Sequence, residues 1–81
     1  MSAERALESL ARGERAVVSR LADGEGEEAL RLLALGISPG TALVLEQRAP
    51  AFVVRVEESL VALEAAVARG IFVRGGPDGA L

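Results

Sequence analysis

Four carboxylates crowd into one short stretch, Asp23, Glu25, Glu27 and Glu28, and they are the side chains best spaced to hold an ion. Carboxylate oxygens suit hard cations such as magnesium or calcium, and they also accept ferrous iron. The same residues stand before an apolar run with helical spacing, where negative charge favours the positive end of the helix dipole. The chain has no histidine and no cysteine, which excludes an imidazole base, a thiolate nucleophile and a selective soft-metal site. Ser9, Ser19, Ser38 and Ser59 have no base beside them in the sequence. Gly24-Glu25-Gly26 is a turn signal and lacks the pattern of a phosphate-cradling loop. Glu57-Glu58 reads as a charged turn. The residues therefore argue against an enzyme and call for no cofactor; a carboxylate-based metal-sensing domain is the one chemical alternative they leave.

The elements that position these groups must fit into a single small domain. The chain has 81 residues, 51% of them hydrophobic, with two phenylalanines and no tryptophan or tyrosine. Its core is thus aliphatic, and stacking platforms for nucleic-acid bases are nearly missing. The net charge is −3, and all nine basic residues are arginines spread along the chain, so a phosphate backbone finds no basic patch. No apolar run approaches the roughly 20 residues of a membrane span, and Met1-Ser2-Ala3-Glu4-Arg5 is no signal-peptide core. These features predict a soluble cytoplasmic protein without nucleic-acid binding or direct membrane insertion.

Punctuation divides the chain into short elements. Leu7 and Leu10, before Gly13, predict a short helix over residues 3–12. Arg15 to Leu21 reads as the first strand. Glu27 to Leu35 has leucines at helical spacing, with Leu30 and Leu33 on one row and Leu32 and Leu35 on another. Gly36 supplies a left-handed residue to stop that helix, and Ile37 folds back toward Leu32. Ser38-Pro39-Gly40-Thr41 has proline and glycine where a type II turn needs them. Strands follow from Thr41 to Arg48, across Phe52 to Val56 with its two-residue period, over Leu60 to Leu63, and over Ile71 to Val73. Glu64 to Arg69 forms a helical turn before the last strand. The fold class is mainly β: a small, strongly bent barrel of about five strands, with one α-helix after the first strand and a short helical turn before the last. Residues 1–73 make the domain, and 74–81 are a disordered tail with too little apolar surface to order it.

The string Arg31-Leu32-Leu33-Ala34-Leu35-Gly36-Ile37-Ser38-Pro39-Gly40-Thr41 resembles the hallmark of FeoA-type domains. Leu7, Leu10, Gly13 and Ala16-Val17-Val18 resemble the family's opening, Arg48-Ala49-Pro50 its corner, and Leu60-Val61-Ala62-Leu63, Ala68 and Ile71-Phe72-Val73 its closing segment. Two departures stand out. Ala51-Phe52 follows Pro50 where the family usually has Gly-Asp-Pro, and Glu64-Ala65-Ala66 replaces residues that are usually basic.

The resemblance implies a Src-homology-3-like barrel, seen in a small cytoplasmic protein of bacterial ferrous-iron uptake and at the C-terminus of iron-dependent repressors. It implies a regulatory, non-enzymatic role in binding FeoB, the membrane permease with a cytosolic GTPase domain. A dimerisation or adaptor module of an iron-dependent regulator is the other expectation. The candidate partner-binding residues are Glu28 and Arg31 on the helix and Arg48, Pro50 and Phe52 at the corner. Leu32, Leu35, Ile37, Pro39 and Gly40 are expected to be structural. Arg31→Glu and Arg48→Glu are expected to weaken partner binding with little loss of fold.

Overall fold

The computed structural model describes residues 4–22, 24 and 26–75. The first strand, β1, is Arg5–Ala6 alone, set antiparallel against Val73 and Phe72 near the other end of the domain. A 3-10 turn follows at Leu7–Ser9. A short helix was expected over residues 3–12, and among the described residues of that stretch only these three are helical. A 3-10 turn brings residues three apart onto one line, so Leu7 and Leu10 both enter the core and are completely buried.

Strand β2 spans Arg15–Leu21, as its sequence predicts. The helix α1, Glu27–Ala34, follows. Its end is a double-bonded glycine cap: the Ile37 amide donates to the Leu32 carbonyl at 2.8 Å, and the Gly36 amide to Leu33 at 3.0 Å. Gly36 has φ +90°, a value that costs other residues steric strain. Leu32 and Ile37 are buried in the same core cluster. The Pro39-Gly40 turn then closes through a 2.9 Å bond from the Thr41 amide to the Ser38 carbonyl, with Gly40 at φ +94°.

Strands β3 (Ala42–Gln47), β4 (Phe52–Val56) and β5 (Ser59–Leu63), helix α2 (Ala65–Arg69) and strand β6 (Ile71–Gly75) complete the order. Each strand turns alternate residues inward: Leu43 and Leu45, Val54 and Val56, Val61 and Leu63, Ile71 and Val73 are all buried, the outcome of a two-residue side-chain period. The last strand runs through Arg74 and Gly75, beyond Val73; residues 76–81 lie outside the described residues.

The six strands form one antiparallel sheet in the order β1-β6-β2-β3-β4-β5. The count exceeds the expected five because β1 exists only through its pairing with β6. The sheet curls around one aliphatic cluster that takes residues from β2 through β6, from both helices' neighbourhoods and from Leu7 and Leu10. No charged or polar residue is buried with them among the described residues.

Candidate interaction surface

Helix α1 sets out three kinds of side chain because successive residues turn by about 100°. Ala29 and Leu32, three apart, are its buried contacts with the barrel. Leu30 and Leu33 occupy the neighbouring row and are left 62% and 56% exposed. Leu35, at the cap, is also exposed and does not enter the core. On the other flank Arg31, 73% exposed, lies 3.5 Å from the Glu28 carboxylate. An exposed pair of this kind contributes at most about 0.5 kcal/mol to stability, so neither residue is committed to the fold.

A cleft of about 280 Å³ runs between α1 and α2. Leu21, Ala29, Leu32 and Val67 give it apolar walls, and two carboxylates join them, Glu28 on α1 and Glu64 just before α2. On α1 the cleft takes Glu28, Ala29 and Leu32, while the exposed leucines lie outside its lining. The sequence reading missed Leu30 and Leu33 as surface residues. Their signal was present: eight helical residues with leucines on two different rows carry more apolar surface than one contact with a small barrel can cover.

The corner between β3 and β4 is built differently. Arg48 reaches back to the 3-10 turn, where its Nη1 donates to the Glu8 carbonyl at 2.9 Å and to the Leu10 carbonyl. Its guanidinium carbon also lies 5.5 Å from the centre of the Phe52 ring, within range of a cation–π contact. The Gln47 side chain donates to the Ala51 carbonyl at 3.2 Å. Ala49–Pro50 is a cis peptide, and Pro50 is exposed while Phe52 is half-buried against the core. Arg48 is thus a tether between the corner and the N-terminal segment; Arg48→Glu would remove both hydrogen bonds and place negative charge beside the two carbonyls, so a cost in stability is predicted in place of the little loss of fold expected from the sequence. The five expected contact residues fall into two sets, Glu28 with Arg31 on α1, and Arg48 with Phe52 and Pro50 at the corner.

Of the four carboxylates considered for an ion, Asp23 and Glu25 lie outside the described residues. Glu27 and Glu28 stand in the first turn of α1. Among the described residues no group of three or more acidic, histidine or cysteine side chains is placed to hold a metal. Of the four serines considered as nucleophiles, three use their hydroxyls within the fold: Ser9 donates to the Ala6 carbonyl at 2.7 Å, Ser19 to Glu4 at 2.7 Å, and Ser38 shares a 3.2 Å contact with the Thr41 hydroxyl. The Ser19 bond, with Arg20 donating to the other Glu4 oxygen at 2.9 Å, holds the Glu4 carboxyl below its ordinary range.

The strand order, the helix between β2 and β3 and the glycine-capped turn that follows define a small Src-homology-3-like domain with surface features suited to contact. The FeoA domain family matches residues 5–75, and the chain belongs to the FeoA family. A crystal structure of an iron uptake regulatory protein (FeoA) superposes with a TM-score of 0.80 at 18% identity, covering 89% of this chain and 96% of that one. The FeoA protein of Chlorobium tepidum, solved by NMR, is 31% identical with a TM-score of 0.74, over 85% of this chain and 68% of that one. The T. acidophilum IdeR structure gives a TM-score of 0.84 at 22% identity; it covers 91% of this chain, which spans only 35% of that protein. No curated protein matches the chain. Among the described residues no helix is long and apolar enough to cross a membrane.

Proposed function

We propose that this chain is a non-enzymatic regulatory protein of bacterial ferrous-iron uptake, acting in the cytoplasm by binding the cytosolic part of a FeoB-type permease. One observation carries the reading: α1 exposes Leu30 and Leu33 on one flank and the uncommitted Glu28–Arg31 pair on the other. Exposed leucines in a row, on a helix that also carries exposed charge, are a surface for another protein. Membership of the FeoA family supports the link to iron uptake. The contact centres on Leu30 and Leu33, with Glu28 and Arg31 at its rim and Pro50 as a second, outlying contact. Arg48 and Phe52 support that corner from behind.

The test is titration of the chain with the cytosolic domain of a FeoB-type permease from the same organism, paired with deletion and ferrous-iron uptake. Saturable binding and altered uptake are expected. Absence of binding together with unchanged uptake would overturn the reading. A second reading, an adaptor module for an iron-dependent regulator, is favoured by the close superposition on IdeR. It predicts binding to a regulator's remaining domains instead of to the permease.

A further inference from the structure

The sheet has two ends, and they are unlike. At one end β1 offers two residues, too few to template another strand. At the other, β5 pairs with β4 and with no further strand. Ser59–Leu63 carries no charge and no proline, and its register with β4 has no shift. None of the devices that blunt an edge strand is present in it.

The backbone of β5 is also set to accept a partner. Val56 and Ser59 face each other across the two-residue turn Glu57-Glu58, and the pair closing such a hairpin is hydrogen-bonded. Alternation along the strand then points the amides and carbonyls of Ser59, Val61 and Leu63 toward β4, and those of Leu60 and Ala62 outward. Both of these residues are exposed, Leu60 by 58%. Neither forms a backbone hydrogen bond beyond the sheet among the described residues.

Charge decides what can occupy this edge. Glu57 and Glu58 precede the strand and Glu64 follows it, and none of the three forms an ion pair among the described residues. A second copy of β5 laid antiparallel about Val61 would set Glu58 against Glu64 at both ends, and like charges directly opposed are destabilising. The geometry points to a strand from a different protein: an extended segment with alternating apolar residues, flanked at both ends by lysine or arginine, which adds to β5 as a seventh strand. The flanking bases meet Glu57 and Glu58 at one end and Glu64 at the other. This edge is distinct from the α1 face, and its partner need not be the permease.

The experiment uses the isotope-labelled full chain and a capped synthetic peptide of alternating valine and threonine flanked by two lysines at each end. Amide shifts and slowed hydrogen exchange are expected at Leu60 and Ala62. Binding should weaken roughly tenfold or more in the Glu58→Gln, Glu64→Gln double variant and with rising salt. Ala62→Pro removes one outward amide while leaving the bonds to β4, and should abolish the effect; if that variant loses its fold, the charge variant decides. The proposal is overturned if the Leu60 and Ala62 amides do not respond, if an acid-flanked peptide binds equally well, or if sedimentation shows the free chain dimerising through β5. A Leu30→Asp, Leu33→Asp variant should bind the peptide normally, which separates this edge from the α1 surface.

Discussion

The guanidinium of Arg48 donates to the carbonyl oxygen of Glu8 at 2.9 Å, joining two residues 40 positions apart. The same nitrogen serves the Leu10 carbonyl. The 3-10 turn ends at Ser9, and Arg48 supplies a partner that the carbonyls at this end would otherwise draw from water.

Arg48→Ala should therefore destabilise the fold by roughly 1.5–3 kcal/mol, the range for hydrogen bonds made by a charged group. Arg48→Glu should cost more. A fall in the urea midpoint at constant slope would show it, whereas Arg31→Glu, on an exposed pair, should leave the midpoint within about 0.5 kcal/mol.

Gly36→Ala tests the helix cap. An added Cβ would meet only Val56 Cγ1 at 3.8 Å, an ordinary contact, so the penalty comes from φ +90° alone. It should be roughly 1–2 kcal/mol, read by chemical denaturation. A neutral result would mean that the left-handed residue is unnecessary.

The rows of α1 separate fold from binding. Leu32→Ala, at a buried position, should cost roughly 2–5 kcal/mol of stability. Leu30→Asp with Leu33→Asp should leave stability nearly unchanged and weaken permease binding by roughly 2 kcal/mol, about thirtyfold. Calorimetric titration beside thermal melting distinguishes the two outcomes.

Glu4 gives a pH signature. The Ser19 hydroxyl bond is the main cause of its lowered pKa, with Arg20 adding to it and partial desolvation opposing. A carboxyl whose folded pKa lies below the unfolded value adds stability above the unfolded value, about 4.5, and loses it as pH falls through the folded one. Ser19→Ala should move the Glu4 titration midpoint upward, as followed by carboxyl NMR shifts. An unmoved midpoint would assign the effect to Arg20 instead.

Much of this fold is legible in the residue order because it is written in local chemistry. Gly36, Pro39 and Gly40 mark the joint between α1 and β3 through backbone angles that few other residues adopt. The alternation from Phe52 to Val56 marks β4 through side-chain period. What escaped was non-local. Arg5–Ala6 is too short to show any period and becomes a strand only because Phe72 and Val73 lie opposite. Ser19 forms a bulge between β2 and β6, since the register passes from Val18 opposite Val73 to Arg20 opposite Phe72. Nothing in Val18-Ser19-Arg20 announces it. The partnership of Arg48 with Glu8 and Leu10 was invisible for the same reason, and the surface character of Leu30 and Leu33 needed the size of the barrel as well as the helical period.

The pairing of β1 with β6 has a consequence for how such a domain is joined to others. Arg5 lies opposite Val73, and the strands run in opposite directions, so the domain's entrance and exit lie side by side. Neighbouring domains attached at either point would grow from one small patch, and the domain would hang from its host like a bead on a loop. Joining the two ends with a short linker and reopening the chain at the Glu57-Glu58 turn should give a permuted protein with the same sheet.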